Sequence, residues 1–211
     1  MDGYKTVAAC VQAEVVEKKS RFIAQLSPAD TEEKALAFLE AVRTEHAQAR
    51  HNVYAYIVRG VGGAAERVRY SDDGEPSGTS GMPTLQTLQH AGLTDIICVT
   101  TRYFGGTLLG TGGLVRAYSA AAQAAIEAAQ VVTVSACVDI TLHVPYAAYE
   151  QIVRAAEDAG ASVRSSDFAE EVTLALRMLA GSEGPLVEKL RELTRGQAAI
   201  EVSEPFEAVF S

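Results

Sequence analysis

The sequence predicts an α+β protein made of two consecutive units, residues 1–135 and 136–211. Three observations carry that reading. First, an apolar, β-branched run from Ile96 to Thr101 leads through a glycine-rich loop into an alanine-rich helix, all within Asp95 to Ala129. Second, the pattern restarts at Val138 and gives six elements in the order βαββαβ. Third, the charge is divided. Residues 1–137 carry 12 Lys and Arg against 14 Asp and Glu, whereas residues 138–211 carry 6 against 13.

The elements follow in order. Val7 to Val16 and Phe22 to Leu26 read as extended, with a turn at Lys18-Lys19-Ser20-Arg21. Asp30 with Glu33 resembles a capping box that opens a helix to about Gln48, with Leu36, Leu39 and Val42 facing inward. Val53 to Val58 and Arg67 to Tyr70 read as strands joined by a hairpin through Gly60–Gly63. A turn-rich segment, Ser71 to Pro83, follows, and Pro83 suits the first turn of a helix to about His90. Ile96 to Thr101 reads as a strand buried on both faces. The helix after the glycines places Leu114, Tyr118, Ala121, Ala122, Ala125 and Ile126 at helical spacing.

Val131 to Cys137 is extended and leads out of the first unit. The second unit reads as strand Val138–Val144, helix Pro145–Ala159, strand Ser162–Asp167, strand Glu171–Met178, helix Glu183–Arg195 and strand Ala199–Phe210. Gly160 and Gly196 stand where helices end. The order is that of the ferredoxin-like plan.

Composition bounds the function classes. Apolar residues make up 48 % of the 211, the formal net charge is −9, and no apolar run approaches a membrane span. The N-terminus lacks the basic-then-apolar layout of a signal peptide. Cys10, Cys98 and Cys137 are far apart and form no C-x-x-C pair, which argues for a reducing cytoplasm and against a disulfide framework or zinc site. A sequence-independent nucleic-acid binder usually carries a basic excess, so the overall balance counts against that role while leaving room for RNA or ribosome binding through a local basic patch on the first unit.

The chemistry concentrates in two segments. Gly105, Gly106, Gly110, Gly112 and Gly113 stand between strand and helix, a geometry that aims backbone N–H groups at an anion. Arg102 and Arg116 are the only charged residues between Ile96 and Ile126. Arg116 falls in or near the first helical turn, where the macrodipole disfavours a cation, so a bound anion would neutralise both. Tyr103 and the preceding pair Arg50 and His51 complete this candidate anion or nucleic-acid site.

The second segment holds Asp72, Asp73, Glu75 and Thr79. Their oxygens suit a divalent metal or a substrate hydroxyl, or they cap turns and a helix start. His46, His90 and His143 carry no such case. No metal, cofactor or catalytic residue is assigned.

The motifs His51-Asn52-Val53-Tyr54-Ala55-Tyr56, Ser71 to Pro83 and Thr101 to Ser119 closely resemble the IMPACT/YigZ family, as does Lys19-Ser20-Arg21-Phe22. The resemblance spans the whole chain and extends to the smaller C-terminal domain of bacterial members. Met82 departs from it, standing where a more polar residue, often Lys, is expected.

The resemblance implies a first domain with the fold shared by a ribosomal small-subunit protein domain, domain IV of elongation factor G and RNase PH. It also implies a second, ferredoxin-like domain similar to domain V of that factor. Eukaryotic members regulate translation by restraining the amino-acid-starvation kinase, competing for its activator. For bacterial members, binding to nucleic acid or the ribosome is the usual suggestion.

Three readings compete. One is a translation-associated binding protein contacting RNA, the ribosome or a translation factor through the glycine-rich loop. Another is a metal-assisted phosphoryl-transfer or hydrolytic enzyme on a small phosphate-bearing substrate. Against the enzyme, no Lys follows the glycines as in a P-loop, and no nucleophile elbow or H-E-x-x-H is present. In the third, the glycines serve packing alone.

Overall fold

The computed structural model describes residues 3–60 and 65–210. The described chain divides into two compact units, 4–132 and 133–210, and Gly3 groups with the second. Much of the Gly60–Gly63 connection, expected as a hairpin, lies outside the described residues.

The first unit contains β1 (Tyr4–Val7), β2 (Val11–Glu17), β3 (Ser20–Pro28), α1 (Glu32–Glu45), β4 (His51–Val58), β5 (Arg67–Ser71), α2 (Gly81–His90), β6 (Ile96–Tyr103) and α3 (Thr111–Ala128). Five strands form an antiparallel sheet in the order β2-β3-β6-β4-β5. Helices cover both faces. Ile96 and Cys98 pack with Leu85, Leu88, Leu114, Tyr118 and Ala121 on the α2/α3 side. Ile97 and Val99 pack with Ala35, Leu39 and Val42 of α1 on the other. This two-sided burial explains why the central strand reads as an unbroken apolar run instead of an alternating one.

Local chemistry adjusts several expected boundaries. Lys18 and Lys19, with φ of 45° and 66°, form a two-residue hairpin between Glu17 and Ser20, so Ser20 and Arg21 belong to β3. The cap of α1 is Thr31, whose hydroxyl accepts the Lys34 N–H at 3.2 Å; Asp30 instead pairs with the Lys34 ammonium. Leu36 is 43 % exposed, and Ala35 takes the inner position assigned to it. Helix α3 begins at Thr111, so Arg116 is its sixth residue and lies beyond the first turn.

The second unit contains β7 (Val131–Val144, entering from the first), α4 (Tyr146–Asp158), β8 (Ser162–Phe168), β9 (Val172–Leu179), α5 (Gly184–Leu193), β10 (Ile200–Val202) and β11 (Phe206–Val209). The segments expected as a lead-out and a fresh strand are one continuous β7. The expected last strand is two, both antiparallel to β7. The order β10-β7-β9-β8 sets four strands side by side. Ile140, Leu142, Leu174 and Leu176 pack against Ile152, Ala156, Leu186 and Leu190 of the two helices.

Candidate functional site

Strand register gathers the motifs at one end of the five-stranded sheet. Arg102, near the end of β6, stands opposite Phe22 of β3 and His51 of β4, and the three share the α2/α3 face. The β2–β3 turn, the segment after β6 and the loop leaving β5 all emerge at this end.

The acidic loop is fastened there by its own carboxylates. Asp72 Oδ1 accepts from the Ser80 N–H (3.0 Å), the Ser80 hydroxyl (2.7 Å) and the Gly81 N–H (2.8 Å), and Oδ2 accepts from the Gly78 N–H (2.8 Å). An anion thus stands at the start of α2, whose capping residue Ser80 makes no side-chain cap of its own. Burial pushes the Asp72 carboxyl up, but these donors outweigh it and hold it below the usual carboxylate range. Asp73 accepts the Asn52 N–H at 2.7 Å through Oδ2, while its carbonyl bonds His51 Nδ1 at 2.9 Å. The Thr79 hydroxyl donates to the Pro76 carbonyl at 2.6 Å.

Glu75 reaches further. Its Oε1 accepts from Arg102 Nη1 at 2.7 Å and from the Tyr118 hydroxyl at 2.8 Å. The Arg102 and Glu75 side chains are only 8 % and 4 % exposed. The acidic loop and the Arg102 segment therefore meet, through one buried carboxylate that also holds helix α3. Burial first, then the neighbouring Glu75, keeps the Tyr118 phenol far above its ordinary range, so it remains a neutral donor. Arg102 also lies over the Phe22 and Phe104 rings, 5.4 and 5.7 Å from their centroids.

These contacts bear on two expectations. Arg102 is not an open anion ligand: its charge is compensated from within by Glu75. Asp72, Asp73, Glu75 and Thr79 are engaged in holding the loop, and among the described residues no group of three His, Cys, Asp or Glu is placed to hold a metal.

A cavity of about 470 Å³ opens beside this network. Four residues singled out in the sequence, Arg50, His51, Arg102 and Tyr103, line it together with Gln48, Ala49, Phe104 and Leu108. Tyr103 is steadied from the opposite face, where its hydroxyl shares a 2.9 Å hydrogen bond with His46 Nδ1. Gly105, Gly106, Gly112, Gly113 and Arg116 do not line the cavity.

Gly105 has a packing role. A Cβ there would collide with the main chain of Lys19 and Ser20, and its N–H donates to Ser20 Oγ at 3.1 Å. Gly106 turns the chain at φ 86°, and Gly110, at φ 73°, precedes an α3 N-terminus without a side-chain cap or a first-turn acid. The sequence reading missed Phe104 and Leu108, which are 58 % and 82 % exposed. An aromatic directly before Gly105-Gly106 was the available signal.

The cations at this end divide sharply. Arg102 is paired inside and Arg21 pairs with Glu14. Lys18, Lys19, Arg50 and Arg116 are exposed and, among the described residues, have no ion-pair partner. Among the described residues, Glu17 is an exposed acid there without such a pair.

The fold and this basic, partly aromatic sheet end define a two-unit α+β protein with a small-ligand-sized recess on its N-terminal unit. The chain belongs to the IMPACT family: the Impact N-terminal domain matches residues 18–126, and a domain of unknown function, DUF1949, matches residues 142–197. It is 35 % identical to the IMPACT family member YigZ of Escherichia coli (strain K12), over 93 % of this chain and 96 % of that one. An IMPACT family member of Thermus thermophilus is 38 % identical over 87 % of this chain and 98 % of its own. A crystal structure of a hypothetical protein matches with a TM-score of 0.62 at 34 % identity, covering 97 % of this chain and 98 % of that one. Among the described residues no helix is long and apolar enough to cross a membrane.

Proposed function

We propose that this protein is a translation-associated regulatory binding protein that acts in the cytoplasm and contacts RNA, principally on the ribosome, through the cleft end of its N-terminal sheet. The observation that supports the reading is the segregation of charge. The acidic loop's carboxylates are engaged in internal hydrogen bonds, whereas among the described residues Lys18, Lys19, Arg50 and Arg116 are exposed without an ion-pair partner, and Arg50 lines the recess that bears exposed Phe104. A locally basic face on an acidic chain favours a polyanion at one place only. On the same footing, the strand order β10-β7-β9-β8 supports a ferredoxin-like second domain, and the first is read as the ribosomal-protein, RNase PH and elongation factor G domain IV type.

Fluorescence anisotropy of the full chain with a labelled RNA over a salt series tests this. Affinity should fall steeply with salt, with a logarithmic slope of about −0.7 per single-strand phosphate contacted. Replacing Lys18, Lys19, Arg50 and Arg116 together by Ala should flatten that slope. Absence of association at low salt would overturn the proposal.

A further inference from the structure

Phe104 is an exposed aromatic ring held in a fixed place. One side is backed by Arg102, whose guanidinium is locked by Glu75 and lies between the Phe104 and Phe22 rings. The next residue, Gly105, is pressed onto the Lys19–Ser20 main chain, so the loop carrying the ring cannot drift without breaking that contact. The residue is nonetheless 58 % exposed and lines the 470 Å³ cavity together with Arg50, which among the described residues has no ion-pair partner. A rigid ring that presents a free face costs little ordering when a flat partner settles on it.

Resting on the RNA-binding reading above, we propose that the ligand at this site is single-stranded RNA, with one unstacked base laid on Phe104 and its phosphates met by Arg50 and the Lys18–Lys19 turn. Duplex RNA keeps its bases inside and offers phosphates and 2′-hydroxyls, which an aromatic platform in a recess does not engage. A splayed base supplies the planar apolar face this ring fits, and every base has one, so stacking needs no particular sequence. The cavity lies within the range of small-ligand sites. Cations within reach of the backbone supply the charge complementarity that an apolar peptide partner would not use.

The test compares a short fluorescein-labelled single-stranded RNA with the same strand annealed to its complement, against the full chain and its Phe104→Ala and Phe104→Tyr variants. Because Phe104 is exposed, both variants should melt as the parent does. Single-stranded RNA should bind more tightly than duplex. Phe104→Ala should weaken single-strand binding by about 10-fold with the salt slope unchanged, duplex binding should not move, and Phe104→Tyr should retain affinity. Equal or tighter duplex binding, or an unaltered Phe104→Ala variant, overturns the stacking proposal while leaving RNA binding by the cationic face in place. The latter result would point to a protein as the partner of the ring. Absence of binding to either RNA removes both readings at once.

Discussion

Replacing Glu75 by Gln is expected to destabilise the N-terminal unit by about 3–5 kcal/mol, the cost of leaving a buried charge without its partner. Among the described residues, Glu75 is the one hydrogen-bond acceptor of Arg102. Its Nε is already buried without a hydrogen bond, and Phe22 and Phe104 flank the guanidinium. Gln could still accept from the Tyr118 hydroxyl, so the loss should arise mainly from the stranded cation. Urea unfolding of Glu75→Gln, Arg102→Met and the double variant separates the terms. The double variant should recover part of the loss, since it removes the stranded cation. A Glu75→Gln midpoint equal to the parent's would show that Glu75 does not hold this end of the sheet.

The second large effect is expected at Asp72. Asp72→Ala removes the acceptor of three backbone amides and the Ser80 hydroxyl, and should cost about 2–3 kcal/mol, between a lost cap and a lost charge-assisted bond. The sign with pH follows from the lowered carboxyl pKa. Unfolded Asp72 titrates at its ordinary value and folded Asp72 lower, so its contribution is complete above the ordinary carboxylate range and disappears as pH falls through the folded value. The parent should therefore lose more stability on acidification than Asp72→Asn does. Parallel acid-induced losses in the two proteins would contradict the capping role.

These two carboxylates also show where sequence reading stops. The strand Ile96 to Thr101 was legible because both faces of β6 are buried, and the βαββαβ order of the second unit because each element keeps one period. Arg116, expected in or near the first turn, is the sixth residue because α3 begins at Thr111 although Thr111, Gly112 and Gly113 are poor helix formers. The final strand was read as one because periodicity does not register the break at Ser203–Pro205.

The site was legible only in part. Arg50, His51, Arg102 and Tyr103 do share a cavity, and the register of β4 against β6 is what unites them. The Glu75–Arg102 pair joins residues 27 positions apart, and no local pattern announces it. Nor does composition reveal that Phe104, 58 % exposed, stays outside the core.

The most direct test of the account is photo-crosslinking of iodouridine-substituted single-stranded RNA to the full chain, with the linked residues located by tandem mass spectrometry. Crosslinks are expected at Phe104, Tyr103 and His51, competed by unlabelled single strand. Crosslinks confined to residues 138–210, or none at low salt, would contradict it.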